Sequence, residues 1–386
     1  LDAPDPPTDV TPTAGNAQLS IAFTAPTDTG TSAITGFVAQ VASSGDNYSA
    51  GSNTGSSSPI VITSLSNGTS YTAKVWAINA YGTSAPSVAS SAATPVPASR
   101  ALVAGGEAPS SAVNTISYDD ITTSGNFSDF GDLTTVAYKG AAVGASTRIV
   151  FAHGNGGNVM SYVTPSSTGN STDFGDVGQS QTQEFGGTGN ETYGFFFGGS
   201  GHDNVINYIT IASTGNTSDF GNLNTGVEFG NGMSSTTRAI VSGGSDNASD
   251  NTIQYFTIGT SGSASDFGNL TVAHASNPGC CSSPTRGLTA GGGSSSDEIE
   301  YITIASTGNG TDFGDLPGNI YYGPTGLSSH TIGLFAGGTG WPGSSSQDTV
   351  HQVTIASIGN STDWGNLSYT PAAHSMGSTT RHGGIA

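Results

Sequence analysis

Along the first hundred residues, apolar and polar positions alternate in short stretches separated by turn-forming residues. Leu19-Ser-Ile-Ala-Phe23 makes every second residue apolar, Ile34 to Val41 does so again, and Ile60-Val-Ile62 is a third apolar stretch. A fourth runs from Tyr71 to Ile78, with Tyr71, Ala73, Val75 and Ala77 on one side. A period of two places alternate side chains on one face of a strand. Short strands joined by Pro-, Gly- and Ser-rich turns predict an antiparallel sandwich. No stretch shows the 3.6-residue period of an amphipathic helix.

Beyond residue 100 the pattern becomes a repeat. Asp-aromatic-Gly recurs at Asp129, Asp173, Asp219, Asp266, Asp312 and Asp363, at separations of 44, 46, 47, 46 and 51 residues. Each copy carries a glycine four residues earlier (Gly125, Gly169, Gly215, Gly262, Gly308, Gly359) and an aliphatic residue four later (Leu133, Val177, Leu223, Leu270, Leu316, Leu367). Tyr stands eleven residues before the Asp in five copies (Tyr118, Tyr162, Tyr208, Tyr255, Tyr301), and Gln352 in the sixth.

An apolar strand ending in a glycine pair precedes the unit, as in Arg100–Gly106, Phe195–Gly199, Arg238–Gly244, Arg286–Gly292 and Leu334–Gly338. The second copy departs, reading Arg148-Ile-Val-Phe-Ala-His-Gly154. A unit of this length suits four strands, and a small sheet with two apolar faces must stack on its neighbours. The repeated Phe is then expected to wedge between sheets, and the glycine pair to let backbones crowd near a central channel. The stretch from Thr370 to Ser378 reads as a spare innermost strand that completes the first unit, and Arg381–Ala386 as the start of another second strand.

Composition agrees with this reading. Gly, Ser, Thr, Asn and Asp dominate and charged residues are only 9%, which suits tight turns more than helices. The formal charge of −20, with Lys74 and Lys139 the only lysines, argues against nucleic acid as a partner and against anionic membranes. No run approaches 18 apolar residues, so no membrane insertion is expected. The chain begins at Leu1 without a signal-like apolar region, which reads as a processed chain or an excerpt. Cys280 and Cys281 are adjacent, a poor geometry for a disulfide and too few for zinc, and are expected to be small semi-buried thiols.

The stretch Leu65 to Ser87, with Tyr71 and the ending Asn79-x-x-Gly82-x-Ser84-x-Pro86, resembles the second half of a fibronectin type III domain. The resemblance implies that Tyr71 is the corner tyrosine, its hydroxyl bonding back to the preceding turn. Phe23 stands where that family usually has Trp. A strand ending in Gly-Gly, a Tyr-bearing strand and a strand with a buried aromatic resemble the kelch blade, with Phe replacing the usual Trp in five copies and Trp364 in the sixth. The expected fold is therefore all-β: a fibronectin type III-like sandwich over residues 1–95, a linker over 96–100, and a six-bladed kelch-like β-propeller over 101–386, closed by a strand near 370–378.

The repeat wording is also similar to kelch-like repeats in virion proteins of marine tailed phages. That resemblance implies a non-catalytic virion surface protein, such as a tail fibre, spike or decoration. Its partners would be other virion structural proteins and a host-surface glycan or receptor, with a homo-oligomer compatible. A secreted bacterial adhesin or surface-layer protein is the competing class, and a propeller glycosidase or oxidase a third.

Chemistry is sparse. The seven histidines show no His-x-x-x-His spacing such as a zinc hydrolase uses. Four of the five arginines occupy one repeat position, which reads as structural. No catalytic residue, resident metal or cofactor is expected, with one exception. The repeated Asp in its oxygen-rich loop is either a calcium ligand or a cap for turn amides. The loops that do not repeat, Glu107–Val113, Ser200–Asn204, Ser245–Asn251 and Thr339–Asp348, lie on one face of such blades. Trp341, Tyr321, Tyr322, His202 and Asp203 are the candidate ligand-binding residues there, because aromatic faces and amide or carboxylate oxygens suit a sugar.

Overall fold

The protein is all-β. In the computed structural model, residues 2–96, 98–108, 111–178, 181–245, 250–293, 297–318, 320–340, 347–370 and 374–385 are described; no helix occurs among them. The chain divides into two compact units, Leu1–Ala98 and Ser99–Ala386.

Among its described residues the first unit has seven strands: β1 (Thr8–Gly15), β2 (Gln18–Thr24), β3 (Ile34–Ala42), β4 (Gly51–Gly55), β5 (Ile60–Ile62), β6 (Thr72–Asn79) and β7 (Gly82–Thr83). They form two antiparallel sheets, in the orders β1-β2-β5 and β4-β3-β6-β7. The alternating residues meet between them: Leu19, Ile21 and Phe23 of β2 pack with Phe37, Ala39 and Val41 of β3 and Ala73, Val75 and Ala77 of β6. Phe23 and Phe37 lie 4.8 Å apart. The buried Tyr71 hydroxyl accepts the Ser66 amide at 3.1 Å. Beyond β7, three serines spaced by three complete the edge of β6. Ser84, Ser87 and Ser90 donate their amides to Ala77, Val75 and Ala73, and their hydroxyls accept those residues' amides at 2.9 to 3.0 Å. A side-chain oxygen replaces the carbonyl that an ordinary partner strand would supply, so β6 keeps no open ladder there.

The second unit contains six four-stranded antiparallel sheets among its described residues. Their first strands are Met376–Thr379, Ala141–Gly144, Gly186–Gly189, Asn231–Ser234, Gly279–Ser282 and Thr325–Ser328. In sheets two to six the strands follow in chain order, whereas the first sheet takes its first strand from Met376–Thr379, beside Arg100–Ala104. Each first strand packs on that of the next sheet, and Met376–Thr379 packs on those of both the second and the sixth.

Most of the repeated residues have a place in the junctions between sheets. Phe130 on the first sheet is buried among Ile149, Phe151 and Val163 of the second, and burying one such ring contributes roughly 2–3 kcal/mol. The glycine of Asp-aromatic-Gly lies against the backbone of the following sheet. A Cβ on Gly131 would stand 2.6 Å from the Gly169 carbonyl oxygen, and one on Gly365 2.3 Å from that of Gly125. These two repeated glycines are thus one contact seen from both sides, and Gly169, Gly215, Gly262, Gly308 and Gly359 donate their amides to the Phe carbonyl of the preceding sheet at 2.7 to 3.0 Å.

The repeated Asn reaches back in the same way. Asn170, Asn216, Asn309 and Asn360 accept the amides of Asp132, Asp176, Asn269 and Asp315, and Asn126 that of Asn366. The glycine pairs do not line the convergence of the first strands, as the sequence suggests. Gly105, Gly198 and Gly243 adopt φ of 64–70° and press against the Ala137, Val227 and His274 carbonyls of the incoming loops.

Arginine completes four junctions. Arg100, Arg148, Arg238 and Arg286 lie 4.2 to 4.9 Å over the rings of Tyr118, Tyr162, Tyr255 and Tyr301. Each donates to a carbonyl of the next sheet, those of Pro165, Ile211, Ile304 and Ile355.

Candidate functional site

Five of the loops that lead into first strands pass through a residue with left-handed backbone two positions before the strand. These are Lys139, Glu184, Phe229, Asn277 and His374, with φ between 55° and 63°. Side chains other than glycine rarely hold this conformation without a reason, and here five unlike residues share it. Four of them are linked through the backbone: Glu184 donates to the Lys139 carbonyl at 2.6 Å, Phe229 to Glu184 at 2.7 Å, and Lys139 to His374 at 3.2 Å.

Their side chains form one cluster. Lys139 Nζ pairs with Glu184 Oε1 at 2.8 Å and stands 5.5 Å from the centre of the Phe229 ring. Phe229 and His374 stack at 5.3 Å with 28° between planes. Burial works against the Lys139 ammonium, but the hydrogen bond and charge of Glu184 outweigh it and raise its pKa. Burial, helped by the Lys139 charge, pushes His374 down to about 4. Near neutral pH the cluster is an ion pair beside a neutral, stacked imidazole. It carries no nucleophile paired with a base and an orienting third group.

Little room lies beneath it. A cavity of about 20 Å³ is lined by Gly140, Phe185, Asn231, Asn277 and Ser375. Farther along, the first strands of all six sheets line one of about 50 Å³, including Val143, Thr188, Ser234, Cys281, Ser328 and Thr379. Spaces of this size hold a few waters. The far end is covered by the residues after Met376–Thr379, which turn instead of starting a strand. His382 Nε2 lies 3.0 Å from the Gly144 carbonyl, Gly383 donates to Ser282 and the Ile385 carbonyl meets His330 Nε2 at 2.7 Å. Gly384 fits only without a Cβ, which would stand 2.1 Å from the Gly189 oxygen. Neither of these two spaces admits more than a few waters.

Of the residues expected to bind, His202 has left-handed backbone and lies 3.4 Å from Ser245 Oγ and 3.9 Å from Glu228 Oε1. Asp203 Oδ1 accepts the Val205 amide at 3.1 Å and so holds its own loop. Tyr321 and Tyr322 belong to the strand Ile320–Tyr322, which pairs with Thr339–Gly340. Trp341 lies outside the described residues. His202 and Asp203 thus stand at the third sheet, Tyr321 and Tyr322 in the loop before the sixth.

The repeated Asp residues are exposed on the fourth strands, and in five sheets the amide three residues past the Asp is taken by an Asn of the next sheet. Among the described residues no group of three or more His, Cys, Asp or Glu could hold a metal ion. Cys280 and Cys281 are fully buried free thiols in a first strand, where burial pushes Cys280 up to about 12.

Lys139, Glu184, Phe229 and His374 escaped the sequence reading because they share a backbone position and no residue type. The same holds for the groups that fix the loops. One position on the third strand is buried and polar in each sheet: Ser117, Ser161, Asn207, Gln254, Glu300 and, half-buried, His351. Gln254 pairs with both the amide and the carbonyl of Thr225 at 2.8 Å, and Asn207 bonds to Gln181 at 2.8 Å. Ser161 is too short to reach its loop, so His153 stands between, 2.6 Å from Ser161 Oγ and 2.8 Å from Thr135 Oγ1. Glu300 accepts the Thr271 amide at 2.7 Å and meets His274 Nε2 at 3.2 Å.

No protein-family profile matches the chain, and no curated protein does. Among solved structures it is similar to one described as the structure of YjhT. There the TM-score is 0.53 at 12% identity, covering 64% of this chain and 88% of that one; the likeness concerns the fold alone. A fragment of titin, domains A168–A170, is matched over 25% of this chain and 33% of that one, with 24% identity and a TM-score of 0.23.

Proposed function

We propose that the chain is a non-catalytic surface-display and attachment protein, its first unit a fibronectin type III-like module and its second a six-bladed kelch-like β-propeller. The propeller reading is supported by the packing of the first strands, which returns from the sixth sheet to the first through Met376–Thr379. The first-unit reading is supported by the Tyr71–Ser66 bond and the two facing sheets.

One observation carries the functional reading. Residues that recur are engaged in the junctions between sheets, while unlike residues at equivalent backbone positions, Lys139, Glu184, Phe229 and His374, gather at one end. An aromatic face beside paired charges suits a hydroxyl-rich ligand, which stacks on the ring and bonds to the polar groups. On this reading the protein sits on the outside of a tailed-phage virion, among other virion structural proteins, and meets a host-surface glycan with that end. The full chain on a glycan array should bind a restricted set, with Phe229→Ala weakening binding about tenfold, as loss of a central aromatic anchor does. Absence of binding to any glycan, or hydrolysis of one, would overturn the reading.

A further inference from the structure

The junction that follows the third sheet lacks its arginine. At the position of Arg100, Arg148, Arg238 and Arg286 stands Tyr193, paired across the ladder with Thr210 as Arg238 is with Thr257 and Arg286 with Thr303. The sixth sheet also lacks the arginine, but it has lost the ring as well, with Ile332 and Gln352 in the two places and Ile332 packed into an apolar cluster. The third sheet alone keeps the Tyr ring, Tyr208, without a guanidinium over it. There a crevice of about 280 Å³ opens, lined by Tyr193, Phe195, Tyr208, Asp219, Phe220 and the facing Gly259 and Ser261 of the fourth sheet.

The fourth sheet departs from the repeat at the same place. Each internal arginine donates to the carbonyl three residues past the ring position of the next sheet, and Ile258 holds that place opposite the crevice. The residue after it is Ala212, Ala305 or Ala356 in the third, fifth and sixth sheets and Gly259 in the fourth. Gly259 has φ of +89° and open space where a Cβ would point. Arginine is thus lost on one wall and volume is cleared on the other.

We propose that this crevice receives a guanidinium from outside, an arginine side chain presented by a partner protein. The chain itself shows four times what that cradle holds: a planar cation 4.2 to 4.9 Å over a tyrosine ring, donating to the neighbouring sheet. Two tyrosine rings and the Asp219 carboxylate now offer an incoming cation a π face and a charge. The net charge of −20 draws cations toward the surface. Four of the chain's own five arginines are already engaged in the internal junctions, and the fifth, Arg381, is half-buried in the turn beside His382, so the arginine comes from a different protein.

Titration of the full chain with N-acetyl-arginine amide, followed by the aromatic NMR resonances, tests this. Tyr193 and Tyr208 should shift, and N-acetyl-lysine amide should bind roughly fivefold more weakly, because only the planar fork stacks and donates together. Tyr193→Arg supplies the chain's own guanidinium and should abolish the shifts. The exposed Asp219→Asn leaves the fold intact and should weaken binding about fivefold. Equal binding of the two probes, shifts confined to other aromatics, or unchanged binding in Asp219→Asn would overturn the assignment.

Discussion

The second and fifth sheets solve one problem, the second with neutral groups and the fifth with a charged one. In each, a buried histidine links the polar residue of the third strand to the loop outside it. In the second, His153 lies between the hydroxyls of Ser161 and Thr135, groups that donate or accept as needed. In the fifth, His274 faces acceptors on both sides, the Gly291 carbonyl at 2.5 Å and the Glu300 carboxyl at 3.2 Å. Both ring nitrogens thus face acceptors, one of them the Glu300 carboxylate, so charge is built in there and absent from the second sheet. The side chains of His274 and Glu300 are fully buried. Gln254 shows why the histidine is needed: its amide supplies donor and acceptor together, and a carboxylate in that place lacks the donor.

The largest expected effect follows from that charge. His274→Ala leaves Glu300 buried without its side-chain partner and should cost about 3–5 kcal/mol of stability, as breaking a buried pair does. His153→Ala, which strands only hydroxyls, should cost about 1–3 kcal/mol. Urea denaturation of the two variants measures the contrast, and equal losses would break it.

The next effect is in pH. Burial pushes the pKa of His153 down to about 4, while the unfolded chain protonates near the ordinary value of about 6.5. Between these values the unfolded state binds the extra proton, so stability falls as pH drops from about 6.5 to 4, by roughly 3 kcal/mol for this group. His153→Gln should remove that part of the slope in melting curves taken across the window. An unchanged slope would place the acid sensitivity elsewhere, His374 being the other histidine driven to about 4.

The smallest effect sharpens the comparison. Burial alone would raise Glu300, but hydrogen bonds from His274 and the Thr271 amide outweigh it and hold its pKa below the usual carboxylate range. Its contribution is therefore present above the ordinary Glu value and is lost as pH falls below it. Glu300→Gln recreates the amide seen at Gln254, with His274 as acceptor, and should change stability at pH 7 by less than about 1 kcal/mol while flattening the limb below the ordinary Glu value. A loss as large as that of His274→Ala would show that the charge, not the hydrogen bonds, holds this loop.

Much of the molecule was legible because the same physical demand recurs. A glycine four residues before each Asp and another two after it mark one close backbone contact, and four arginines at one position mark one stacked junction. The loop latches were not legible, since Ser161, Asn207, Gln254 and Glu300 share burial and polarity but not identity. Nor was the role of the glycine pairs, whose left-handed turns face incoming loops. Of the expected site, Asp203 caps its own loop, while the cluster around Phe229 is built from residues that resemble one another only in backbone angle.

By itself the sequence determined the all-β character, the two-residue period of the first unit and the six copies of the second, because these follow from local alternation and from spacing along the chain. Tertiary structure alone decided which unlike residues stand together. Lys139, Glu184, Phe229 and His374 are scattered over more than two hundred positions and meet only because equivalent loops converge where the first strands pack. The missing arginine at Tyr193 could be read from the sequence, but the open space beside it depends on how the third and fourth sheets face each other.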